Sequence, residues 1–202
     1  MRYMYLLIGL FLVGCASVPK RQIGEEWLIE SSGNKSGWIT KIPETKGGVI
    51  YFRGIKTHAP TLDGGLTDAR QHAARQVAEM VENQVNVDYE RARVEYGIPR
   101  DDEEIGSVTR DLTIALSDAV TQGVKEKESY WERWSEQLAT GIGYFFNVYT
   151  LVTLTEEDYK RIANQVFEEK IEKARAENNK KAEEALDKFR KEVMQRRFEE
   201  GQ

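Results

Sequence analysis

From Thr155 to Phe198 the chain runs without a single Pro or Gly. Nothing in that stretch breaks a helix outright, and Glu, Lys, Arg and Ala dominate it. Thr155 is placed to cap, and Glu156, Glu157 and Asp158 suit the positive end of a helix dipole. Glu156–Lys160, Glu157–Arg161, Glu169–Lys173, Glu177–Lys181, Glu184–Lys188, Asp187–Lys191 and Glu192–Arg196 are all i,i+4 pairs with the acid first. Each such pair contributes about 0.2–0.5 kcal/mol. The pattern predicts one long charged helix over 156–202, of which the unbroken run to Phe198 is roughly 65 Å in length. Its apolar stripe is narrow: Phe167, Ile171, Ala174, Ala182, Ala185, Phe189 and Val193, interrupted at Asn178. An eleven-residue rhythm of this kind gives a straight or slightly right-handed seam. Two readings stay open, a helix whose base packs on its own domain and a docking or coiled-coil arm. On the second, Phe167, Ile171, Phe189 and Val193 are interface residues.

The other end of the chain is of a different kind. Arg2 precedes an apolar run over 3–13, too short for a spanning helix, which needs about twenty residues. The run stops at Leu12-Val13-Gly14-Cys15, which resembles a bacterial lipobox. That resemblance implies a signal peptide over 1–14, cleavage between Gly14 and Cys15, and acylation of Cys15 by diacylglycerol and an N-linked chain. It accounts for the only cysteine of the chain, which also excludes an internal disulfide and a cysteine-based zinc site. By analogy with enteric bacteria, Ala16 in place of Asp is compatible with transfer to the outer membrane. The expected location is therefore lipid-anchored at that membrane and periplasm-facing. Residues 15–37 read as the lipidated cysteine and a tether, in which Trp27-Leu28-Ile29 is the one segment suited to dock.

Between these ends the periodicity alternates. Gly47-Gly48 makes a turn, and 49–55 is rich in β-branched and aromatic residues, which predicts a strand. From Leu66, the positions Ala69, Ala73, Val77, Met80 and Val85 step as an amphipathic helix. Val85, Val87 and Tyr89 alternate, so 85–96 fits a strand as well as a continued helix. A loop over 97–104 precedes a second helix capped by Ser107 and closed by Gly123. Strands follow over 124–134 and 144–154, separated by a glycine-bearing turn region. The second is apolar on both faces, as a central strand is. The expected fold is α+β: a small mixed or antiparallel sheet, two helices on one face, a domain over 38–155, and the long C-terminal helix.

Trp38, Tyr51-Phe52-Arg53-Gly54, Asp68-Ala69-Arg70-Gln71-His72-Ala73-Ala74, Tyr130-Trp131-Glu132 and Tyr149-Thr150-Leu151-Val152-Thr153-Leu154 together resemble the LPP-twenty lipoprotein family. The resemblance spans about 38–160 and rests on packing motifs. It implies a compact α+β domain at the bacterial outer membrane, no catalytic residues to transfer, and relatives that assemble into rings or disks. The charged extension beyond 155 departs from the short family type.

Chemistry is sparse. Gly64-Gly65 and Gly141-Ile142-Gly143 lack the flanks of a phosphate loop, and there is no nucleophile elbow. His58, Asp63, Asp68 and His72 form the only cluster with metal-ligating or acid–base residue types, and the bland reading is a loop and a helix surface. Residues 101–104 are acidic without the interleaved spacing of a calcium loop. Lys+Arg 29 against Asp+Glu 34 gives a net charge of −5, which makes the chain a poor candidate for nucleic-acid binding, where a concentrated basic face is needed. Alternation along the strand places Trp131 opposite Tyr130 and Trp134, and one of these two sides is an interface candidate. The expected function is a non-enzymatic envelope lipoprotein without cofactor beyond its lipid. Its partners would be the membrane and other envelope proteins or itself. The alternative is a periplasmic binding module for peptidoglycan or a small envelope ligand.

Overall fold

The structure, a computed structural model, describes residues 21–97, 102–195 and 198. Among them are strands β1 (Glu26–Ser31), β2 (Val49–Ala59), β3 (Lys125–Leu138) and β4 (Gly141–Thr155). The helices are α1 (Leu62–Tyr96), α2 (Glu103–Gly123), α3 (Glu156–Ala176) and α4 (Lys180–Gln195), with one 3-10 turn at Gly37–Ile39. The strands form a single sheet in the order β1-β3-β4-β2, every pair antiparallel. The fold is α+β, and β4 is a central strand, as its doubly apolar sequence requires. Among the described residues no helix is long and apolar enough to cross a membrane.

The sheet and α1 meet through small residues. A Cβ on Gly54 of β2 would lie 1.8 Å from the backbone carbonyl oxygen of Ala69. A Cβ on Gly65 would lie 2.6 Å from a Val148 methyl. Gly65, Ala69 and Ala73 therefore let the first half of α1 rest directly on β2 and β4. The helix also covers the free edge of β2: the Ile55 N–H donates to His72 Nδ1 at 3.1 Å, and Gln76 Nε2 donates to the Arg53 carbonyl at 2.9 Å. Beyond Ala73 the stripe enlarges to Val77, Val81 and Val85, all fully buried. That half meets the other helices. The helix runs on through 85–96, which settles the alternation there in favour of helix. It ends at Gly97, whose φ of 65° is the left-handed cap that glycine adopts without penalty.

Two expectations at helix ends are corrected. α2 begins a turn before Ser107, with Asp102 accepting from the Ile105 N–H at 3.3 Å, because Asp at the cap and Glu103-Glu104 in the first turn make the stronger start. The tail is not one helix. Asn178 takes φ 56°, and Asn179 Oδ1 caps α4 by accepting from the Ala182 N–H at 2.9 Å. Asn tolerates the left-handed region and caps well, so two asparagines turn the chain where no Pro or Gly was present. Lys181 then reaches Asp102 at 2.6 Å instead of pairing with Glu177, joining the starts of α4 and α2.

α3 and α4 fold back as a hairpin onto α1 and α2. Phe167 and Val193 are fully buried, and Ile171 and Phe189 nearly so, in one core with Phe52, Val152 and Leu154 of the sheet. Of the two readings left open for the tail, packing on its own domain holds: these four residues, an interface on the arm reading, are core, because the hairpin turns the stripe inward. The tether reading also fails over 26–31: β1 pairs with β3, since the N–H and C=O row of β3 needed a partner.

Gly54→Ala should lower stability by about 3 kcal/mol or more, because the obstacle is backbone that cannot yield. For a chain of this size that is a fall in Tm of roughly 6–12 °C, read by thermal melting. A chain ending at residue 176 should lose its cooperative transition, since Ala182, Leu186, Phe189 and Val193 leave the core with α4. Lys125, Arg161 and the Thr155 hydroxyl bind Asp158 at the start of α3 and hold its carboxyl at about 2. A carboxyl held below its unfolded value stabilises fully above about pH 4 and loses that contribution as pH falls towards 2. Asp158→Asn should therefore remove part of the acid dependence of stability below pH 4, measured by urea melts across that range.

Candidate interaction surface

Strand partners directly opposite each other share a face of the sheet. Trp131 faces Val148, Arg133 faces Phe146, and Ser135 lies between Tyr144 on one side and Trp27 on the other. Val148 is the residue against which Gly65 packs, so this whole set lies on the face that carries α1. The helix begins at the Val148 row. The rows of Phe146, Tyr144 and Ile142 continue past it, and among the described residues no helix lies above them.

The result is an aromatic apron at the far end of the sheet. The Trp131 and Phe146 rings meet edge to face at 6.0 Å. The Arg133 guanidinium lies 5.0 Å from the Tyr144 ring centre and 5.9 Å from that of Phe146, and pairs with Glu30 at 3.3 Å. Arg21 stacks on Trp27 at 3.4 Å. Tyr144 is 54% exposed, and Trp131, Arg133 and Phe146 are half-buried. Aromatic residues with arginine are the composition of strong protein contacts.

The opposite face is closed. Trp38 and Ile39 of the 3-10 turn pack on Tyr130 and Leu151, and Arg53 donates to the Ile39 carbonyl. Glu132, buried at 5% exposure, accepts from Lys35 Nζ at 3.1 Å, the Tyr130 hydroxyl at 3.2 Å and Trp134 Nε1 at 3.1 Å. The hydrogen bond to Glu132 holds the Lys35 ammonium above the usual lysine range, and burial pushes the Tyr130 phenol up. This charge-paired lock fastens residues 32–39 across the sheet.

The expected side-chain alternation holds: Tyr130 and Trp134 share one face and Trp131 lies on the other. Tyr130 is core, so it is corrected as an interface residue. Trp134 is half-buried and engaged with Glu132, and Trp131 alone of the three belongs to the open apron. Gly14 and Cys15 lie outside the described residues. The polar cluster is dispersed. His72 serves the β2 edge, Asp68 pairs with Lys56 at 2.9 Å, and His58 stacks on Phe145 with Nε2 3.2 Å from Glu26. Trp27, Arg133, Tyr144 and Phe146 were not anticipated. Their signal was present in the doubly apolar start of β4, which exceeds what a helix beginning at Leu62 covers.

Glu132→Ala should cost about 1–3 kcal/mol by stranding the Tyr130 and Trp134 donors in a buried site. It should also speed protease cleavage within 32–39, while the helical core keeps its far-ultraviolet signal.

No family model, curated protein or solved structure matches this chain.

Proposed function

We propose that the chain is a lipid-anchored lipoprotein of the bacterial envelope, held by acylated Cys15, whose folded domain binds protein subunits in the plane of the membrane. The observation that carries the reading is the apron of Trp27, Trp131, Arg133, Tyr144 and Phe146, which no helix covers among the described residues. The lipobox Leu12-Val13-Gly14-Cys15 and the lone cysteine support the anchor, and the likeness to the LPP-twenty lipoproteins supports the setting. The role is non-catalytic in this reading. Both histidines are engaged in packing and edge contacts, and among the described residues no group of three or more His, Cys, Asp or Glu is placed to hold a metal. Anchoring confines copies and partners to one plane, which raises their effective concentration and lets modest contacts suffice.

Two measurements test this. A fatty-acid analogue should label the wild type and not Cys15→Ser; equal labelling would defeat the anchor. Crosslinking in intact membranes should capture a homo- or hetero-oligomer that Trp131→Ala and Tyr144→Asp weaken together. Their melting transitions should stay within about 2 kcal/mol of wild type, as surface-layer changes do. A wild type captured only as monomer would reject assembly and favour the alternative binding of peptidoglycan or a small ligand.

A further inference from the structure

We propose that the β3–β4 hairpin tip, together with residues 21–24 beside it, rests in the headgroup region of the bilayer, so that the molecule stands on the membrane at a defined orientation. The inference rests on the lipoprotein reading above, and adds to it a second, non-covalent membrane contact.

Three features converge on the tip. First, it is apolar and open: Ile23 is 74% exposed, Ile142 and Tyr144 54% each, and Leu138 38%. In a chain with 31% charged residues, 137–155 contains none, so the hairpin turn Ala139-Thr140 and both its flanks are uncharged. Surface loops that meet only water seldom have this composition. Second, the anchor enters here. The Gly24 N–H donates to the Gln137 carbonyl at 2.8 Å, and the Gln137 N–H to the Glu25 carbonyl at 3.0 Å. The first described residues, 21–25, therefore join the fold at the hairpin tip. The stretch from Cys15 to Arg21 spans at most about 20 Å when fully extended, so acyl chains in the bilayer hold this end of the sheet near the surface. Third, the polar groups around the tip suit an interface. Trp27 and Tyr144 are the ring types that settle at headgroup depth, and Arg21 adds positive charge toward anionic lipid. Of the acids nearby, Glu25 accepts from the Gln22 N–H at 3.0 Å and Glu26 faces His58 at 3.2 Å, while Glu136 lies opposite Gly143.

A few apolar side chains bind a bilayer weakly by themselves. Beside a covalent anchor the contact is intramolecular, and weak insertion is enough to orient the body. With the strands upright on the membrane, the apron faces sideways, toward neighbours anchored in the same leaflet.

The test uses acylated full-length protein in vesicles of phosphatidylethanolamine and phosphatidylglycerol. Acylation blocks Cys15, so Ile142→Cys and Leu138→Cys each present one free thiol for an environment-sensitive fluorophore, with Glu169→Cys on α3 as the distal control. Labels at 142 and 138 should shift to the blue and be quenched by lipids carrying a quencher near the headgroup. The label at 169 should report water. Flotation with the vesicles is scored in the same samples. Protein that floats with all three labels in water overturns tip contact and leaves the anchor standing. Protein that carries no acyl chain and does not float overturns both. A label at 142 that turns apolar only when a second protein is added, without lipid quenching, overturns membrane contact and assigns the tip to a protein.

Discussion

The backbone of α1 touches the backbone of β2 at Gly54 and Ala69, and the placement of every other element follows from that contact. A helix ordinarily stands off a sheet by the thickness of two side-chain layers. Here glycine and alanine remove those layers over the first half of α1, which brings His72 and Gln76 within reach of the β2 edge. The close approach also fixes how far along the sheet the helix begins. Because α1 is 35 residues long, about 52 Å, its second half overshoots the strands. α2, α3 and α4 gather around that overhang and bury Val81 and Val85. Among the described residues the same register leaves the other end of the sheet without a helix, so the small residues under α1 determine where the core lies and where the aromatic surface lies.

Much of this was legible in residue order. The β2 strand, the amphipathic start of α1, the two long strands and the alternation at Tyr130, Trp131 and Trp134 all follow from local period. What was not legible is where local preference meets distant partners. Residues 26–31 have no pattern that marks a strand, and their pairing with β3 is decided by the unsatisfied backbone of that strand. The tail shows the complementary case. Its helix-forming residues are as expected, but continuity was inferred from missing Pro and Gly, whereas Asn178-Asn179 supplied both a left-handed turn and a new cap. Once the chain turns there, the narrow stripe that suited an arm becomes half of a four-helix core. Glu132 is the clearest omission: its three donors come from Lys35, Tyr130 and Trp134, and only the folded sheet brings Lys35 to the other two.

The two faces of the sheet divide the work. One face is sealed by Trp38, Ile39 and the Glu132 lock, which spend their hydrogen-bonding capacity internally and leave little to recognise. The other is shared between α1 and the apron, whose rings and guanidinium still offer edges, faces and charge to a partner. The two histidines are divided likewise: His58 stacks on Phe145 of the sealed face, and His72 meets the edge of β2 beneath α1.

The way β1 joins the sheet has a mechanical consequence. Its first residues pair beside the hairpin turn and its last residues lie deeper along β3, so a pull arriving from residue 21 runs along the strand axis. Antiparallel ladder bonds stand across that axis and would take the load together, in shear, instead of opening one at a time like a zipper. Behind them Lys35 and the 3-10 turn grip the same segment against the sheet. A short six-residue strand thus becomes a clasp that resists a pull along its own axis.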